Sequence, residues 1–129
     1  MKRILLSVML LSAASLLPLA AEESLIHLND SNFAKVTGND IFIVDFYADW
    51  CGPCRAFAPT YEEAAEELTE YNFAKVNVDN CPKLSTQFSI EYIPYIVAVK
   101  NGTVLEEYAG SRTKADFINW VKKVNQKYK

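Results

Sequence analysis

The apolar and polar positions of the chain alternate between two periods, and the changes of period mark out the elements. Leu25 to Leu28 is a short apolar run that predicts a strand, and Asp30 and Ser31 follow as candidate N-caps of a brief helix through Phe33 and Val36. Gly38-Asn39-Asp40 ends it. Ile41 to Tyr47 is β-branched or aromatic nearly throughout, the pattern of a strand covered on both faces, and Asp45 is the one charge inside it. From Cys51 to Tyr71 the period becomes helical, with Phe57, Tyr61, Ala64, Ala65, Leu68 and Tyr71 three and four residues apart. Glu62, Glu63, Glu66, Glu67 and Glu70 fall on the other side and predict a solvated face.

Phe73 to Val78 predicts a second core strand, and Pro82 to Phe88 a short helix opened by Asn80 or Cys81. Pro94 to Lys100 and Thr103 to Tyr108 predict two strands joined by Asn101-Gly102, a strong two-residue hairpin signal. After Gly110, Ser111 or Thr113 caps a last amphipathic helix carrying Phe117, Trp120, Val121 and Val124. The order is β-α-β-α-β-α-β-β-α. Helices between the early strands require parallel crossovers and the tight hairpin requires an antiparallel pair, so the fold class is α/β with a central mixed five-stranded sheet flanked by four helices.

The N-terminal segment stands apart from this pattern. Lys2 and Arg3 precede an apolar stretch from Ile4 to Leu17, and Pro18-Leu19-Ala20-Ala21 ends in small residues. That is the make-up of a signal peptide, residues 1–21, with cleavage at Ala20 or Ala21. The other reading is an uncleaved anchor, because Ile4 to Ala21 just reaches the length of a short membrane-spanning helix. Either way the chain is expected to be exported, periplasmic or secreted, with residues 22–129 forming one domain. Without Lys2 and Arg3 the chain has 11 basic against 16 acidic side chains, a formal charge of −5. An acidic chain of this size is no dedicated nucleic-acid binder, and three cysteines are too few for a disulfide-dense scaffold.

Trp50-Cys51-Gly52-Pro53-Cys54 lies where the buried strand meets the long helix, the end of an open α/β sheet at which sites form. Cysteines three apart on a first helical turn face the same way, with Cα atoms inside the range of about 4.4 to 6.8 Å that a disulfide needs. They can open and close a bond without refolding. The helix N-terminus favours the Cys51 thiolate as nucleophile at the tip of the motif, and Cys54, one turn in and more covered, is the resolving thiol. Haem attachment would need His after Cys54, where Arg55 stands, and a structural zinc site would need four ligands from Cys51, Cys54, Cys81 and His27, the last on another strand. A static disulfide gains little from so short a loop.

These residues, taken in order, resemble the thioredoxin family. Val44-Asp45-Phe46-Tyr47-Ala48, Trp50-Cys51-Gly52-Pro53-Cys54, Pro59, Phe73 to Asp79, Ile93-Pro94, Lys100-Asn101-Gly102 and Gly110 carry the resemblance across the whole of residues 22–129. It implies the thioredoxin fold, a cis Ile93-Pro94 peptide opposite the disulfide, and pairing of the Ile93 backbone with an extended substrate. It implies a substrate groove of Trp50, Gly52, Pro53, Tyr92, Ile93, Pro94 and Gly110. It also implies that Asp45 is the buried carboxylate near Cys54 and that Lys75 is its partner. Physically, a carboxyl buried in a strand without a partner acquires a raised pKa suited to accepting a proton from Cys54; the alternative for Asp45 is a hydrogen-bonded structural residue, and for Lys75 a surface lysine at a strand end. Tyr92, with Glu91 before it, stands where the family usually has glycine, and adds bulk and charge beside the groove. Cys81 is an odd thiol, read as a helix-end residue with no redox role.

The expected function is a thiol:disulfide oxidoreductase that reduces disulfide-containing protein substrates outside the cytosol, as a monomer, with no cofactor or metal beyond the Cys51–Cys54 disulfide. Oxidation in such a compartment demands a source of electrons, and a membrane-embedded donor docking over Trp50, Pro53 and Ile93 would supply it. The alternatives are a disulfide-forming or isomerising enzyme and a binding module with incidental cysteines.

Overall fold

The computed structural model describes residues 25–36 and 38–129, so the segment read as a signal peptide lies outside the described residues. Five strands, β1 (Leu25–Leu28), β2 (Ile41–Tyr47), β3 (Asn72–Asn77), β4 (Tyr95–Lys100) and β5 (Thr103–Glu107), form one sheet in the order β1-β3-β2-β4-β5. β3 runs parallel to both β1 and β2, whereas β4 is antiparallel to β2 and to β5. The mixed sheet follows from the connections: α1 (Gly52–Glu67) carries the chain from β2 back to β3, and a two-residue turn joins β4 to β5. Asn101 and Gly102 both have positive φ, 57° and 73°, as a turn matched to strand twist requires.

The remaining helices are α2 (Pro82–Gln87) and α3 (Lys114–Lys127). There are thus three α-helices rather than four. Phe33–Val36 forms a single 3-10 turn, too short between β1 and Gly38 to propagate an α-helix. Nor is Asp30 its cap. The Asn29 side chain accepts from the Ser31 and Asn32 amides, while the Asp30 carboxylate accepts from the Lys83 and Leu84 amides at 3.2 and 3.0 Å. Asp30 therefore caps α2 from across the fold, a position where Cys81 supplies no side-chain bond. At the other end of α2, Ile90 donates to Ser85 and Ser89 to Thr86, with Ser89 at φ 51°, a Schellman stop made with serine in place of glycine. α1 ends at Glu67, four residues before Tyr71, where Leu68 leaves helical geometry.

Alternation along the strands divides the core in two. Ile41, Ile43, Phe73, Ile96 and Ala98 face α1 and α3, and Phe42, Val44, Phe46, Ala74, Val76, Val97 and Val99 face α2. On the first face Phe117 of α3 is the hub, its ring 5.3 Å from that of Phe57, 5.5 Å from Tyr61 and 5.3 Å from Tyr108, centroid to centroid. Burying a side chain of this size contributes about 1.5–3 kcal/mol, which is how α1, and the motif at its N-terminus, is fixed to the sheet. Asp45 is the exception to the apolar filling. It lies one step beyond Ile43 on the same face, in the central strand, 1% exposed.

Candidate active site

Cys51 is the N-cap of α1, with extended backbone, and Cys54 lies in the helix's first turn. Their Cα atoms are 5.2 Å apart and their sulfurs are joined in a disulfide. Pro53 at the start of the helix has no amide hydrogen to leave unpaired, which suits that position. The Cys54 amide donates to Cys51 Sγ at 3.1 Å, so one of the unpaired donors of the helix end points at the sulfur that would carry charge after reduction. Exposure separates the two cysteines less than the sequence suggested. Cys51 is 5% exposed and Cys54 3%, because Ala48 joins them in one cluster against which Tyr47, Val78 and Ile93 pack.

The Ile93–Pro94 peptide is cis and brings Ile93 onto that cluster. Gly52 and Pro53 are exposed beside it. Trp50 and Tyr92 are the exposed large hydrophobic residues among those described, and each has its polar tip held by a carboxylate. The Trp50 indole N–H donates to Asp79 Oδ2 at 2.9 Å, and the Tyr92 hydroxyl donates to Glu107 Oε2 at 2.5 Å while its ring meets Tyr95 edge-on. The bond to Glu107 pushes the Tyr92 hydroxyl pKa up to about 12, so it stays a donor at any physiological pH. Gly110 sits beneath the Tyr108 ring, where a Cβ would approach to 2.8 Å, and the Tyr108 hydroxyl donates to the Ser111 carbonyl. Any side chain at Gly110 would displace that ring.

Asp45 faces the inner side of α1, the side that carries Cys54, Phe57 and Tyr61. Its Oδ1 has no hydrogen-bond partner. Burial raises its pKa to about 7, with the charges of Lys75 and Arg112 pulling the other way. Lys75 is Asp45's neighbour in the β2–β3 register and is itself buried, not a surface lysine. Its ammonium is engaged elsewhere, 3.7 Å from Glu62 on α1 and 4.4 Å above the Tyr47 ring. Glu62, Glu107 and Arg112, which lies over the Phe57 ring, complete the surroundings, and nothing in their sequence neighbourhood singles them out. Cys81 lines a small cavity with Tyr47 and Lys75 but is not part of the redox pair. It is fully buried, its Sγ–H faces the Leu28 carbonyl at 3.6 Å, and burial raises its pKa, so it is an inert thiol.

A disulfide that closes across one helical turn, at the end of the strand that carries a buried titratable carboxyl and next in the chain to an exposed tryptophan, can exchange with another disulfide with little movement of the fold. Known proteins resemble the chain in fold and in sequence. A human ERp44 chain in its zinc-bound form superposes with a TM-score of 0.73 at 24% identity, over 78% of this chain and 31% of that one. In sequence the chain is 37% identical over 109 residues to protein disulfide-isomerase 1 of Caenorhabditis elegans, spanning 81% of this chain but only 22% of that protein. It is 32% identical over 96 residues to the thioredoxin of Chlamydia trachomatis, which covers 74% of this chain and 94% of the relative. Since the thioredoxin family profile also matches residues 24–123, this chain belongs to the thioredoxin family and is a thiol–disulfide oxidoreductase whose redox group is the Cys51–Cys54 pair.

Proposed function

We propose that the chain reduces protein disulfides outside the cytosol, as a monomer. The observation that carries the direction is the pair between the cysteines. Gly52 and Pro53 put no cation beside the Cys51 sulfur, so the thiolate is stabilised by the helix end alone, and a modestly stabilised dithiol is a reductant rather than a strong oxidant. The basic and apolar make-up of residues 2–21 supports export.

The steps follow from the site. The Cys51 thiolate attacks one sulfur of a substrate disulfide, whose S–S bond breaks to leave a substrate thiolate and a mixed disulfide. The substrate segment lies in the groove of Trp50, Gly52, Pro53, Tyr92, Ile93, Pro94 and Gly110. Asp45, poised near neutrality, takes the Cys54 proton. The Cys54 thiolate then attacks Cys51 Sγ, releases the second substrate thiolate and closes the disulfide, so two electrons have passed to the substrate. Regeneration requires a dithiol donor, for which a membrane-embedded protein docking over Trp50, Pro53 and Ile93 is the candidate.

A disulfide-forming or isomerising role is the second reading, favoured by the likeness to a disulfide isomerase. Equilibration of the Cys51–Cys54 pair against a glutathione buffer decides between them. A potential near the thioredoxin value of about −270 mV is expected, and one near about −180 mV or higher would overturn the reductase reading.

A further inference from the structure

Asp45 and Lys75 are partners in register on adjacent strands and on the same face of the sheet, yet the carboxylate atom Oδ1 has no hydrogen bond and the ammonium is 3.7 Å from Glu62. A buried lysine in register with a buried carboxyl on the same face would ordinarily pair with it and fix it as the anion. Here a carboxylate from α1 takes the ammonium instead. Glu62 is half exposed and reaches water, whereas the Lys75 side chain is only 7% exposed and can reach few partners. The Tyr47 ring lies under the same ammonium and completes its seat.

We propose that Glu62 is a positioning residue of the site: by holding the Lys75 ammonium at its own carboxylate, it keeps that cation from pairing with Asp45 and leaves Asp45 free to take and give a proton. The proposal rests on the reading of Asp45 as the proton acceptor for Cys54, and it places a tuning residue on the helix that carries the cysteines. The other groups acting on Asp45 do not offer the same control. Tyr47 on its own strand and Tyr61 on α1 have pKa values raised by burial and stay neutral, Arg112 before α3 is always charged and acts more weakly than Lys75, and β4 presents apolar Ile96 at the register position. Lys75, and what holds it, is the adjustable part.

The test is a carbon-13 NMR titration of the Asp45 carboxyl in the oxidised protein, in wild type, Glu62→Gln, Lys75→Met and the double variant, alongside the pH dependence of disulfide exchange. With Glu62→Gln the ammonium is released toward Asp45, and the Asp45 midpoint should fall by about one pH unit, the low end for an opposite charge at close range. Lys75→Met should raise it. In the Lys75→Met background, Glu62→Gln should have little further effect, because there is no ammonium left to release. An unchanged midpoint in Glu62→Gln, or an equal fall with and without Lys75, would overturn the proposal, the latter because Glu62 would then act through its own field. A shifted Asp45 midpoint with an unshifted activity profile would uphold the clamp and remove Asp45 from proton transfer, which keeps the two failures distinct.

Discussion

At the scale of single residues, the two cysteines differ through their amide surroundings more than through their exposure. Cys51 receives the Cys54 amide and sits at the positive end of α1, and Cys54 lies inside the first turn. Cys51→Ser is therefore expected to abolish turnover, and Cys54→Ser to accumulate a mixed disulfide with substrate, visible on a non-reducing gel. Trapping by Cys51→Ser would reverse the roles. Asp45 yields a second prediction, on stability. Its carboxyl titrates near 7 in the folded chain against 3.8 for the free group, so the folded state holds a proton that the unfolded state has lost. Stability is unpenalised below about pH 4, falls as pH rises through this window, and levels off above about 7 at a cost of about 4 kcal/mol. Asp45→Asn removes the cost. In urea melts of the oxidised forms the variant should gain several kcal/mol over wild type at pH 8 and little at pH 4.5; a gap independent of pH would refute the assigned shift. The conspicuous charge of Asp45 in an apolar run was legible from the chain, whereas the diversion of Lys75 to Glu62 depends on how α1 lies over β3.

Among the elements, each predicted strand and long helix is present, the first two strands with the expected bounds and the others with ends moved by one to four residues, because periodicity reports which face is buried and caps report where an element stops. Two readings of the elements miss: the brief helix at Phe33–Val36 is a single 3-10 turn, and the cap placed before it belongs to another helix. Asp30 sits ahead of Phe33 in the chain and looks like a local cap, but its carboxylate binds the Lys83 and Leu84 amides, 53 and 54 residues away. Sequence proximity cannot reveal a cap supplied through tertiary contact. Because α2 has no side-chain cap of its own at Cys81, Asp30→Ala is expected to cost about 1 kcal/mol and to leave the redox pair intact. Chemical denaturation reads the first, and hydrogen exchange at the Lys83 and Leu84 amides should quicken in the variant. Unchanged exchange there would mean the cap carries no energy.

For the whole molecule, the alternation of helices with strands and the single Asn-Gly hairpin fixed the mixed sheet in advance, since right-handed parallel crossovers and a two-residue turn leave few topologies. The chain disclosed Glu91 beside the groove, but not Asp79 and Glu107, whose carboxylates reach the aromatic rings through tertiary contact. Asp49, Asp79, Glu91 and Glu107 are exposed: Asp49 and Glu91 precede Trp50 and Tyr92 in the chain, and Asp79, in the turn after β3, and Glu107, at the end of β5, hold the polar tips of those two rings. Arg55 and Arg112 are the exposed cations on the neighbouring segments; one donates to the Asp49 carbonyl and the other lies over Phe57 with its field reaching Asp45. The side proposed to meet a substrate is thus aromatic and acidic, on a chain whose formal charge is −5 without Lys2 and Arg3. Like charge slows encounter and opposite charge speeds it, so basic protein disulfides are expected to be reduced with higher kcat/KM than acidic ones of similar size. Exposed charges are screened, and the Debye length shrinks from about 30 Å at 0.01 M salt to about 8 Å at 0.15 M, so the preference should narrow over that range. Glu107→Gln should narrow it further at low salt, by removing one charge and loosening the Tyr92 tether. Reduction of a small neutral disulfide should respond to neither change, which separates steering from any alteration of the Cys51–Cys54 chemistry. Equal rates on acidic and basic substrates at low salt would show that the carboxylates serve only to hold Trp50 and Tyr92 in place.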